Sequence, residues 1–351
     1  MSIYAAAFVF AAVLASPHVV SAQKKSDPNL LPGAAPANGA APSGRVSLAP
    51  RFSPGQVFRY AMEFQTTTAT SKSGLATDPQ GPSTLVVTWD ATIRVEVLPG
   101  NPTAPGDIRL RTTYEKSTAS IHADTFDPAA EATRKRYQKL QGKVVEFTLD
   151  AAGNVKAVSG LEGIVNGEKG LQEAREWIAQ LDASSGAPPG GVTVGQAWSS
   201  EQPAASLPLA GMVWRTDTKY LRNEPCYPAN PGLPRGAFPA EGAAKAGAKS
   251  PETCAVLLTH LNLIPPKQPL RDQSPEAYRK NGVHTAGVWG GSAQSLKYIS
   301  LATGAVVSVS QTGTEQMDVT FTTTQNTSMH YAGTIDSRSQ VELVADAAKK
   351  Q

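Results

Sequence analysis

The residues that could do chemistry are few and far apart. Beyond the first 22 positions the chain carries His122, His260, His284 and His330, each in a different stretch of alternating residues. His122 and Asp124 stand two apart, so an extended strand would aim both to one side. That is the geometry of a histidine–carboxylate general base, and equally that of a solvated surface pair. His260 shares an alternating face with Val256 and Leu258, which reads as a core or rim histidine. The segment WGGSAQS, residues 289–295, comes nearest to a nucleophile elbow but lacks its second glycine. No H-E-x-x-H pair, phosphate loop or dinucleotide fingerprint occurs. The sequence therefore assigns no catalytic residue, no metal ligand and no cofactor.

Cys226 and Cys254 are the only cysteines. Their spacing is too wide for a redox or metal pair, and in an exported chain they are expected to form a disulfide. It would pin the ends of a Pro/Ala/Gly-rich insertion at residues 228–251, stabilising the fold by about 3–4 kcal/mol on the chain-entropy account. Arg134, Lys135, Arg136 and Lys139 form a basic cluster on a predicted helix. It reads as a solvated face, with a membrane-surface or phosphate contact as the alternative. The triplet NTS at 326–328 fits a glycosylation sequon. A net charge of +3 over 351 residues gives no electrostatic case for nucleic acid.

The elements that would position these residues are mostly strands. In VFRYAMEFQT, residues 57–66, Phe58, Tyr60, Met62 and Phe64 fall on one side and Arg59, Glu63 and Gln65 on the other. Residues 84–98 repeat the pattern with Leu85, Val87, Trp89, Ala91, Ile93, Val95 and Val97. Fifteen residues at about 3.3 Å each make a strand near 50 Å, and a sheet of such strands must twist and curl. Residues 107–118 continue with Ile108, Leu110 and Tyr114 inward. A helix near 128–141 is predicted from Asp127-Pro128, the stripe Ala130, Thr133, Tyr137 and Leu140, and the stop at Gly142. A hairpin at 142–160 turns at Gly153, a second helix is expected near 168–182, and SSGAPPGG marks an internal boundary. Near the end, Met317, Val319, Phe321 and Thr323 alternate with Asp318, Thr320 and Thr322, and two short strands are expected after them.

The ends are of another kind. Residues 1–22 read as a signal peptide, with an apolar run from Ile3 to Leu14 and small residues before a cut after Ala22. The run is too short to span a bilayer, so no transmembrane segment is expected after cleavage. Residues 23–50 read as a Pro/Ala/Gly-rich tether.

The body of the chain is told twice. FSPGQVF at 52–58 returns as VTVGQAW at 192–198, and EFTLDAAGNVKAVS returns as YISLATGAVVSVS. The Trp89 strand corresponds to MVWRTDTKYLR, and DIRLRTTYEKS to CAVLLTHLNL. The order implies two related β units, 51–185 and 191–346. Gly55 and Phe58; Leu140, Gly142, Phe147, Asp150, Gly153, Val155, Val158 and Gly160; Val194, Gly195 and Trp198; and Thr303, Gly304 and Val306 resemble the pattern of an uncharacterised family of exported bacterial β-rich proteins. The resemblance covers most of 50–325 and implies export and architecture. It brings no catalytic residues.

The expected fold is mainly antiparallel β: two related units of long, curled sheet with one or two packed helices, joined as one half-barrel or standing as two lobes. The expected protein is non-enzymatic, exported to the periplasm or cell surface of a bacterium. It would hold an apolar or lipid-like ligand on the concave face against Phe64, Trp89, Ile93 and Tyr114. Those same residues would otherwise form a packed core beneath the helices. An envelope protein partner bound by sheet edges or loops is the alternative, and a hydrolase-type enzyme stands third.

Overall fold

A computed structural model describes residues 44–74, 82–100, 106–125, 128–151, 153, 155–163, 187–188, 190–204, 207–226, 252–268 and 270–344. The signal peptide, most of the tether, the helix expected near 168–182 and the insertion at 228–251 lie outside the described residues.

The fold is mainly β. Eleven strands form one open antiparallel sheet: β1 (Val57–Gly74), β2 (Ser83–Leu98), β3 (Ile108–Ala123), β4 (Val144–Leu149), β5 (Val155–Ser159), β6 (Ala197–Pro203), β7 (Val213–Pro225), β8 (Thr253–Ile264), β9 (Val283–Ser300), β10 (Val306–Thr323) and β11 (Ser328–Val344). Among the described residues two α-helices accompany it, α1 (Pro128–Gln138) after β3 and α2 (Glu276–Lys280) after β8. The strand order is β5-β4-β3-β2-β1-β11-β10-β9-β8-β7-β6. The sheet is thus continuous, not split into two lobes.

Both halves run strand, strand, strand, helix, strand, strand. Their opening turns match bond for bond. Gly55 and Gly195 both have φ of 86°, a left-handed value that glycine adopts without strain. The Gly55 N–H donates to Val97 O at 2.8 Å, and the Gly195 N–H to Tyr220 O at 2.7 Å. In both turns the glutamine side-chain oxygen accepts from the backbone three residues earlier, Ser53 at 2.8 Å and Thr193 at 3.1 Å. The G-Q phrase is a device for starting a strand.

β11 has no counterpart in the first half. It runs back to pair with β1 along its length, from Arg59–Val344 to Gly74–Met329, and with β10 on its other edge. Two short strands were expected after residue 323; one 17-residue strand is found. The difference arises because the serines, threonines and glycines of this stretch dilute its alternation, while the hydrogen bonds to β1 and β10 supply the order. At Gly333 the backbones come very close: a Cβ there would lie 2.2 Å from Ala69 O.

The chain before β1 is also part of the fold. Val46 and Val192 exchange backbone hydrogen bonds at 2.8 Å, and Arg51 N–H donates to Thr303 O at 2.7 Å. Leu48 is buried with Val192, Tyr220, Ala255, Leu257 and Ile299. Packed structure therefore starts inside the span read as tether, and strap-like contacts tie the first half to the second. The disulfide Cys226–Cys254 forms, with a Cα–Cα distance of 5.1 Å, joining the end of β7 to the start of β8.

Gly333→Ala should lower stability by about 1–3 kcal/mol, because the methyl group would force β1 and β11 apart. Gly290→Ala, whose Cβ would meet nothing within 4 Å, should be near neutral. Urea unfolding of the two variants checks this.

Candidate functional site

Strand register sorts the side chains onto two faces. The outer face carries the polar positions, including Arg94–Glu96 at 3.0 Å, Arg111–Glu146 at 2.8 Å and His330–Asp318 at 2.8 Å. The inner face carries most of the large apolar residues, and a smaller outer cluster gathers Tyr298 and Val307 at the disulfide. The inner face is covered in places, and the covered places are separate clusters.

The first cluster holds the four residues expected to line a ligand. Phe64 lies opposite Trp89, and Ile93 opposite Tyr114. Phe64, Trp89 and Tyr114 are buried, with Ile93 packed against them. The Trp89 indole N–H donates to Ser117 Oγ at 2.8 Å, and Ser117 donates to the Tyr137 carbonyl of α1 at 2.7 Å. The rings of Trp89 and Tyr137 are 5.5 Å apart. Burial pushes the Tyr114 hydroxyl up to about 12, which keeps it protonated at physiological pH. Helix α1 thus seats its apolar stripe on these residues.

The second cluster gathers Trp214, Leu263, Trp289, Met317, Val319 and Phe321 beneath the loop bearing Leu207, Leu209 and Met212. Tyr278 of α2 packs on Phe321 at 6.2 Å.

Between the clusters the inner face changes character. Thr66 on β1 faces Ser337 on β11, which faces Gly313 on β10, which faces Ala293 on β9. Glu315 stands two residues beyond Gly313, opposite Ile335 on one side and Gly291 on the other. Small side chains floor this strip and larger ones wall it.

Glu315 is the unusual group. It is 1% exposed, and its Oε2 accepts from the Trp289 indole N–H at 2.5 Å. Its Oε1 is buried with no hydrogen-bond partner, and so is Thr66 Oγ1 on the same strip. Burial pushes the carboxyl up to about 7, against the smaller opposing pull of the indole donor. The sequence held a signal for it: Glu315 shares the odd-numbered parity of Met317, Val319 and Phe321, so an acid sits on the apolar side of an alternating strand. Only the register shows that Gly291 stands opposite it on β9.

The suspected histidine–carboxylate pair is not assembled. His122 is exposed. Asp124 accepts from the Thr84 N–H at 2.8 Å, and that backbone donor holds its pKa below the usual range. His260 is exposed on the outer face, beyond the partly buried Leu258. A different histidine, His284, lies 3.4 Å from Asp272 in an open pocket of about 460 Å³ that Arg271, Gln273 and Thr285 also line. Several of the polar groups there are spent on structure. Ser274 donates to Asp272 and accepts from the Thr285 N–H, and Gln273 Oε1 accepts from the Gly287 N–H. Ser274 bonds to the carboxylate and not to the histidine, so it gains no base. The basic cluster of α1 is partly neutralised, with Glu131 pairing to Arg134 and Lys135. Among the described residues no group of three or more metal-ligating side chains converges, and no helix is long and apolar enough to cross a membrane.

No family model matches the chain, and no curated protein does. Among solved structures, one of lipovitellin, titled for its lipid–protein interactions, aligns at 12% identity and a TM-score of 0.42 over 86% of this chain. The chain spans 27% of the lipovitellin chain. DynF, from the dynemicin biosynthesis pathway of Micromonospora chersina, aligns at 9% identity and a TM-score of 0.17, covering 93% of this chain and 94% of its own. Scores this low show no common fold, so function must come from the geometry of this chain.

Because the Glu315 carboxyl is raised in the folded state from 4.5 to about 7, its contribution to stability is full below pH 4.5. That contribution is lost as pH rises through about 7, where folded and unfolded chains are both ionised. The loss is on the order of 3 kcal/mol. Glu315→Gln should remove this decline, so its stability advantage over the parent should grow from pH 5 to pH 8 in denaturant titrations.

Proposed function

We propose that the protein is an exported binding protein that holds an apolar, lipid-like ligand against the inner face of its sheet. The observation that carries this reading is the break in the packing of that face between two of its clusters, where buried polar atoms stand without partners. Eleven strands at about 4.8 Å spacing span about 50 Å. The large side chains of the face gather in separate clusters, and the strip between two of them is floored by glycine, alanine and serine. Thr66, Ala293, Glu315 and Ser337 are 1–9% exposed, so an elongated apolar molecule would reach that strip by displacing what covers it. Phe64 and Trp89 form its wall on the first-half side.

The disulfide supports export, since such bonds persist in oxidising compartments, and residues 1–22 have the form of a leader. Partner binding through sheet edges draws less support. The edge strands β5 and β6 have 5 and 7 residues and carry Lys156, Glu201 and Pro203, devices that discourage strand addition. The exposed large apolar residues Val144, Val194, Leu270 and Val288 are scattered over separate segments.

Native mass spectrometry of residues 23–351, purified from its own envelope without detergent, should show an adduct of lipid mass. Organic extraction should remove it and envelope lipid extract should restore it. A bare monomer mass with no uptake of extract would overturn the proposal.

A further inference from the structure

We propose that the open pocket beside His284 binds the oxyanion end, a carboxylate or a phosphate, of a small organic molecule. The pocket lies on the outer face and does not depend on the binding reading above. Thr285 and Phe321 are paired and buried on the inner side, so their neighbours His284 and Thr322 point outward. Leu270, Arg271, Asp272 and Gln273, from the segment before α2, wall the pocket, whose volume is about 460 Å³. That volume is in the range of small-ligand sites. The pocket exists because β8 pairs with β9 only over Ser292–Ser300. Earlier along β9, side chains stand in for a neighbouring strand: the Ser274 hydroxyl and Gln273 Oε1 accept from the Thr285 and Gly287 N–H groups, each at 2.8 Å.

The acceptors of the pocket are taken and its donors are not. Asp272 Oδ1 accepts from the Ser274 N–H at 2.9 Å and from the Ser274 hydroxyl, and Oδ2 lies 3.4 Å from His284 Nδ1. Gln273 Oε1 is held by the Gly287 N–H, and since a backbone donor must meet oxygen, the amide nitrogen is the end left over. The Thr285 hydroxyl donates to Pro208 O, and the Thr322 hydroxyl shares a hydrogen bond with Ser328 at 3.1 Å. By contrast, Arg271 is exposed and forms no ion pair among the described residues. With Asp272 at Nδ1, His284 has Nε2 left, and once protonated it donates there as well. The charge of Asp272 is met by Ser274 and His284, so Arg271 is the unmatched charge of the pocket. A guanidinium, an imidazole nitrogen and an amide nitrogen around one space suit a ligand that accepts from all three. An amine would meet Arg271 as a like charge, and an alcohol brings one oxygen and no charge. A carboxylate or phosphate brings two or more acceptor oxygens and the matching charge. Leu270 and Ala286 in the lining give an organic body apolar contact.

The test is nuclear magnetic resonance of the mature chain, residues 23–351, with isotope-labelled histidines. Its histidines are His122, His260, His284 and His330, so each imidazole signal reports one place. Octanoate and octyl phosphate should shift the His284 signal to saturation and leave those of His122 and His260 in place. Octanol and octylamine at the same concentrations should not move it. Arg271→Gln should weaken both anions about tenfold. Lys267→Gln, which removes an exposed cation outside the pocket lining, should leave them within about twofold. Acetate and inorganic phosphate should bind severalfold more weakly than the octyl anions; equal binding would overturn the organic ligand and leave a small-ion site. An octyl probe seated only on the inner face would leave the His284 signal unmoved, and that result would overturn the proposal. So would a shift by octylamine equal to that by octanoate, or unchanged affinity in Arg271→Gln.

Discussion

The pairing of β1 with β11 is the constraint on which the rest of the sheet depends. Each half of the chain is a meander that closes only on itself. Without β11 the molecule would be two smaller sheets, each with a long free edge. Edges of 18 residues, the length of β1 and β10, are strong templates for unwanted pairing. β11 removes both edges and leaves only β5 and β6 at the margins. The cost is entropic, since residues near 60 must find residues near 340 before either gains a hydrogen bond. Gly333 fits that union, its missing Cβ allowing β11 to approach Ala69 closely. The strap at Val46 and Leu48 supports it, holding the approach to β1 against the second half.

Joining two meanders has a second consequence. The apolar sides of both halves become one face, on which the described helices and loops pack separate clusters. Each half packs its own cover, α1 over Trp89 in the first and the loop at Leu207–Met212 with α2 in the second. The seam strands lie between them. There Thr66, Thr68, Ser337, Ser339, Gly313 and Glu315 face inward as small or polar residues, with Ile335 as a large apolar residue among them. The same strands that join the sheet therefore break its apolar face with a strip of small and polar residues.

Much of the architecture was legible in the sequence. Alternation marked the strands from residue 57 onward, the Ala130–Leu140 stripe marked α1, and the cysteines marked their bridge. Local signals sufficed because each element buries one face and exposes the other. The seam was not legible, because pairing between residues 270 apart leaves no trace in local periodicity. The site was only half legible. Phe64, Trp89, Ile93 and Tyr114 were readable as one apolar group, and the structure packs them together under α1. The acid that gives the strip its chemistry was hidden among ordinary charged residues until register placed it inward beside glycines.

The most direct test of a ligand site on the inner face is anomalous diffraction from crystals grown with a terminally brominated long-chain alcohol. The account predicts a bromine peak over the inner face, along the strip floored by Gly313, Ala293 and Ser337. A peak on the outer polar face, or no peak at saturating alcohol, would contradict it.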